Sequence, residues 1–85
     1  MTDTTIFLYR KMLVLLDAIG PAGLEEDTIK AQAEIAAGQL VTTVDKNLAF
    51  ATLKERNWIA SYTDELTNRV RWFLTAQGKT IRAGL

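Results

Sequence analysis

The stretch that most constrains the fold runs from Val44 to Thr75, VDKNLAFATLKERNWIASYTDELTNRVRWFLT. Its first part has helical spacing. Lys46, Ala49, Phe50 and Leu53 fall on one arc, and three of the four are apolar. The helix is predicted to end at Arg56–Asn57, because Asn tolerates the left-handed backbone that closes many helices. The period then changes. Trp58 to Tyr62 is rich in strand formers, and so is Arg69 to Leu74. In the second run Val70, Trp72 and Leu74 share one face, with Arg69, Arg71 and Phe73 on the other. The polar run Thr63–Asn68 between them reads as the turn. A helix feeding directly into a hairpin implies a mostly α domain with a small β-hairpin, an α+β fold.

The rest of the chain must fit before and after this unit. Eighty-five residues make one domain, 1–85. At that size roughly 60% of the unfolded surface is buried on folding, so the core is modest. A hydrophobic fraction of 48% argues against disorder. No apolar run approaches the ~18 residues of a membrane span, and MTDTTIFLYRK lacks the pattern of a secretory signal. A cytoplasmic protein without membrane association is expected. Cys and His are both absent, which removes disulfides, thiolate metal sites, the commonest metal ligand and the commonest general base. Ten basic residues balance ten acidic ones. A net charge of zero gives no global attraction to nucleic acid, so DNA binding would require the charges to be segregated.

The first helix follows TDTT, with Asp3 or Thr4 as the expected N-cap. Leu8, Met12, Leu15, Leu16 and Ile19 lie on one face. Tyr9 and Leu13 widen it, and Phe7 with Val14 flank it from the other direction. That is more apolar surface than one small core requires. Two readings follow: a central helix packed on two sides, or a helix with one side left for a homodimer. Gly20-Pro21-Ala22-Gly23 ends it. The second helix is expected from about Leu24 to Ala37, with Glu25, Glu26 and Asp27 complementing the positive end of its dipole. Ile29, Ala33, Ala36 and Ala37 form its small-residue face, and Gly38 ends it. Thr42 with Asp45 has the spacing of a capping box opening the third helix, and a short strand at Leu40–Val41 precedes it. Thr75 is the expected cap of a short last helix that sets Ile81 and Leu85 against the first. Gly78 inside that helix costs roughly 1 kcal/mol against Ala, which implies a packing reason for it.

Leu53-Lys54-Glu55-Arg56-Asn57-Trp58-Ile59, a polar wing, and then Arg71-Trp72-Phe73-Leu74-Thr75-Ala76-Gln77-Gly78-Lys79 together resemble a known pattern. It is the end of bacterial winged-helix regulators of the MarR-like and PadR-like families. Those chains show Leu, a charged triplet, Gly, an apolar pair, a hairpin, then LT-x-x-G and a basic residue. Here Asn57 stands in place of the Gly. The likeness covers about residues 44–82 and is more specific for the fold than for any one family. The chain has no room for the long dimerisation helices of those families and is closer in size to small phage or prophage winged-helix proteins. The resemblance implies a winged helix-turn-helix with a three-helix core, a two-stranded wing and a short C-terminal helix. It also implies a regulator that binds double-stranded DNA, with the third helix in the major groove and the wing on the backbone.

Set against that implication, the residues divide. Thr43, Lys46, Asn47 and Thr52 are the candidates for base edges, and Lys54, Arg69 and Arg71 for phosphates. Asp45 and Glu55 on the same helix would repel phosphate, and Leu48 is apolar. Arg69 and Arg71 make either a phosphate-contacting ridge or a solvated strand face. Lys79 and Arg82 read as solvated charges. Trp58 and Trp72 read as a paired-aromatic hairpin core rather than a base-stacking platform. The consecutive carboxylates Glu25, Glu26 and Asp27 do not converge on one point, so they do not suggest a metal site. No phosphate loop, nucleophile elbow or catalytic pair is present, so no enzyme, cofactor, metal or small-molecule ligand is inferred. The resemblance favours a DNA-binding regulator acting as a dimer; the alternative is a winged helix used as a protein-interaction module, for which the zero net charge, the acidic residues and Leu48 on the third helix and the over-apolar first helix speak.

Overall fold

The computed structural model describes residues 2–85. Helix α1 spans Asp3–Ile19 and carries the centre of the core. Its N-cap is Thr2, not Asp3 or Thr4. The cap must keep an extended backbone, and Thr2 does, with its Oγ1 accepting from Thr5 N–H at 3.1 Å. Asp3 falls instead in the first turn, where it meets the positive end of the dipole. The buried face is Thr5, Leu8, Met12, Leu13 and Leu16. It is rotated from the expected stripe toward Leu13, which leaves Leu15 half-buried and Ile19 exposed.

Helix α2 spans Glu26–Ala37 and α3 spans Thr43–Glu55; both pack against α1. Leu24 does not begin α2 as expected. Its N–H and C=O exchange bonds with Trp72 at 3.0 and 2.8 Å, forming an isolated antiparallel bridge. Gly23 makes that approach possible. Its φ is +71°, and a Cβ there would stand 2.4 Å from Trp72 O. The short strand expected at Leu40–Val41 is absent; the extra β-pairing lies before α2, at Leu24. On α2, Ile29 and Ala33 are buried and Ala37 half-buried, whereas Ala36 faces solvent. Gly38 closes the helix in the left-handed conformation.

Both ends of α3 are closed by local bonds. Thr42 and Asp45 form the reciprocal capping box. At the other end Asn57 sits at φ 58°, with Asn57 N–H on Lys54 O and Trp58 N–H on Leu53 O. This is the Schellman arrangement, and it aims the chain straight into the hairpin. Ala49, Phe50 and Leu53 are buried, as their spacing required. Strands β1 (Ile59–Asp64) and β2 (Arg69–Leu74) pair antiparallel from Ile59↔Leu74 to Asp64↔Arg69. Thr63 and Asp64 therefore belong to β1 and not to the turn. The turn is tightened by Asp64, whose Oδ1 accepts from Leu66 N–H and whose C=O accepts from Asn68 N–H.

The two tryptophans do not pair with each other. Trp58 precedes β1 and meets Tyr9 edge-on at 5.7 Å, whereas Trp72, opposite Ser61, meets Phe50 edge-on at 5.2 Å. Each therefore fastens the hairpin to a different helix. Helix α4 (Ala76–Ala83) is capped by Thr75, whose Oγ1 also donates to Asn57 O at 2.7 Å. Ile81 packs against the core, but Leu85 is exposed rather than set against α1. The described residues form a mostly helical α+β fold of four helices and one two-stranded hairpin. Among the described residues no helix is long and apolar enough to cross a membrane.

Candidate functional site

The surface to be judged is the outward face of α3 with the adjoining hairpin. Its seven candidate residues meet different fates. Thr43 and Asn47 are exposed one turn apart on α3, and Asn47 Oδ1 accepts from Lys30 Nζ at 2.8 Å. Thr52 is not on this surface: it is buried, and its Oγ1 donates to Leu48 O at 2.8 Å. That back-bond satisfies the hydroxyl inside the helix and lets the methyl group pack inward. It is a core residue and is withdrawn as a base reader.

The cations are engaged by neighbours. Lys46 lies 3.5 Å from Glu34 of α2, and Arg69 lies 3.2 Å from Glu25. Arg71 is only partly exposed. Its Nε stands 3.3 Å from Asp64 Oδ2 without hydrogen-bond geometry, and one terminal nitrogen donates to Gly23 O. Lys54 lies over both the Phe50 and Trp72 rings, at 5.3 and 5.7 Å. Exposed ion pairs contribute at most about 1 kcal/mol, so Arg69 could release Glu25 at little cost. The carboxylate would nevertheless remain beside any phosphate that replaced it. No continuous basic ridge of the kind allowed by Arg69 and Arg71 is formed; each arginine is matched by an acid.

Beside the exposed Thr43, Asn47, Lys54 and Glu55, α3 presents a short apolar strip outward. Val44 is 65% exposed and Leu48 50% exposed, one helical turn apart, and Leu40 in the segment leading into the helix is 99% exposed. Asn47 borders this strip, and Glu55 lies at the far end of the same helix. The hairpin tip adds Glu65 and a nearly fully exposed Leu66. Sequence reading singled out Leu48 but missed Leu40 and Val44. Val44 had a signal, since it stands four residues before Leu48 on the same helix; Leu40 precedes the helix and had none. The acid partners Glu25, Glu34 and Asp64 carried no such signal, because Glu25 and Glu34 meet their bases only through tertiary packing. Comparison of the chain with family models, curated proteins and solved structures gives no match.

Proposed function

We propose that this chain is a winged-helix domain whose third helix docks a partner protein. The fold part rests on connectivity. Helix, single β-residue, helix, helix and hairpin follow in order, with β2 lying between Leu24 and β1. This is the arrangement expected when a wing is stitched back onto the segment between the first two helices. The functional part rests on one observation: the exposed strip of Val44 and Leu48 on α3, preceded by Leu40, where a groove-reading helix would present donors and positive charge. An apolar strip on a helix rimmed by polar residues suits a protein surface and gains nothing from a phosphate backbone.

The test is capture of partners from native cell extract by the wild-type chain and by the Val44→Ser/Leu48→Ser double variant. Both side chains are largely exposed, so the fold survives their loss, and no charge is altered. A partner retained by the wild type and lost by the variant supports the reading. Partners held equally by both would refute it. A second reading, a DNA-binding regulator, retains one favourable observation: Thr43 and Asn47 are exposed on the same helix. For that reading the groove set reduces to these two residues, and phosphate contact depends on Lys46, Lys54, Arg69 and Arg71 leaving their present neighbours.

A further inference from the structure

Helix α1, the end of β2 and α4 leave a cavity of about 330 Å³ between them. Leu16, Phe73 and Leu74 give it an apolar lining. Leu16 and Leu74 are also core residues, so the cavity reaches down to the packed interior. Two lining residues are charged, and their signs are opposite: Asp17 on the last turn of α1 and Lys79 on α4. A small concave space with an apolar lining and a few polar groups is the usual form of a small-molecule site. Neither charge is used up by the fold. Lys79 is exposed, and no acid lies within 4.0 Å of its ammonium among the described residues. Asp17 faces Arg82 at 3.5 Å, but Arg82 Nε makes no hydrogen bond there. The carboxylate thus keeps open acceptor sites. Beside it α1 ends without an internal partner for its last carbonyls. Asp17 C=O would accept from residue 21 in a continuing helix, and that residue is Pro, with no N–H. Nor does α1 carry a base in its last turn to offset this negative end. Gly20, on the same wall, adds no side chain, and a Cβ there would meet nothing within 4 Å.

We infer that this cavity binds a free α-amino acid with an apolar side chain. The ammonium is held by the Asp17 carboxylate at the negative end of α1, the carboxylate by Lys79, and the side chain by Leu16, Phe73 and Leu74. Each part of the ligand answers one feature of the wall. An apolar acid would meet Lys79 but set its body against an unmatched Asp17. An apolar amine would meet Asp17 and leave Lys79 unmatched. Only a ligand with both charges close together satisfies the pair. The volume lies at the small end of the range for ligand pockets, which suits an amino acid rather than a nucleotide. A second hollow, lined by Asp3, Thr4, Phe7, Ala37 and Gln39, has an acid but no base, so it lacks a receptor for the carboxylate. Binding at the end of α1 is independent of what α3 docks.

The experiment is an NMR titration of isotope-labelled protein with L-phenylalanine, carried to tens of millimolar and read from the backbone amides. Saturable shifts are expected at Leu16, Asp17, Gly20, Phe73 and Leu74. Hydrocinnamate, which lacks the ammonium, and phenethylamine, which lacks the carboxylate, should each bind roughly 10-fold more weakly. L-phenylalanine should lose affinity by a similar factor in Lys79→Ala and in Asp17→Asn. Lys79→Ala removes an exposed side chain and leaves the Asp17–Arg82 pair in place, so it carries the test even if Asp17→Asn disturbs folding. Circular dichroism checks that both variants are folded. The absence of any saturable shift overturns the inference. So do shifts confined to Phe7 and Gln39, equal affinity for all three ligands, or undiminished binding of L-phenylalanine to folded Lys79→Ala.

Discussion

Gly78→Ala should destabilise this domain, against the usual rule. In an exposed helix interior Ala is better than Gly by about 1 kcal/mol. Here Gly78 is the buried residue of α4 and lies against the backbone at the start of the hairpin. A Cβ would stand 2.1 Å from Trp58 O, 3.0 Å from its carbonyl carbon and 3.2 Å from Leu74 Cδ2. Backbone cannot yield as a side-chain tip can, so α4 must move away. That movement strains two bonds made by Thr75: its N–H on Trp58 O at 3.0 Å and its Oγ1 on Asn57 O at 2.7 Å. Overpacking costs about 1–3 kcal/mol, and a lost backbone bond adds roughly 0.5–1.5 kcal/mol. After the propensity gain the net loss is about 1–3 kcal/mol, or roughly 5–20 °C in Tm for a domain of this size. Gly84→Ala is the matched control. It has ordinary backbone angles and its nearest contact would be at 3.6 Å, so it should be neutral or slightly stabilising. Thermal and urea unfolding followed by circular dichroism reads both. A Gly78→Ala protein as stable as the wild type would refute the close approach of α4 to Trp58.

Asn57→Gly should stabilise by up to about 1 kcal/mol in urea unfolding, because the positive φ costs Asn more than Gly, while Asn57→Val should lose about 1–2 kcal/mol. Phe50→Ala removes a fully buried ring together with its edge contact to Trp72, and should cost about 3–5 kcal/mol with a change in tryptophan emission. Arg69→Ala should change stability by less than about 1 kcal/mol in the same assay, since its pair with Glu25 is largely exposed.

Local punctuation was legible in the sequence. Asn57, Gly38, Thr75 and the Thr42–Asp45 pair each act through bonds within a few residues, and each stands where its chemistry placed it. The change of period after Asn57 likewise announced the hairpin. What escaped depends on distant partners. Nothing near Leu24 signals that Trp72 will pair with it, so the residue was read as helix instead of bridge. The stripe on α1 turned toward Leu13 because its neighbours pack there, a rotation that spacing alone does not encode. Thr52 passed for a surface residue because its back-bond to Leu48 hides a hydroxyl that would otherwise keep it in water. On the candidate site, residue types were visible and their occupation was not. Lys46 and Arg69 are neutralised by acids on other segments, Lys54 is drawn over two rings, and Val44 and Leu48 stand exposed on the same helix.

The most direct measurement is fluorescence anisotropy of labelled random-sequence duplex DNA titrated with the protein, first at low salt and again at ~200 mM, where a phosphate-dominated complex weakens steeply. An α3 surface built for protein contact predicts no saturable binding even at low salt. Saturable binding with a steep salt slope, abolished by Arg69→Ala/Arg71→Ala, would contradict that account and establish the hairpin as a phosphate contact.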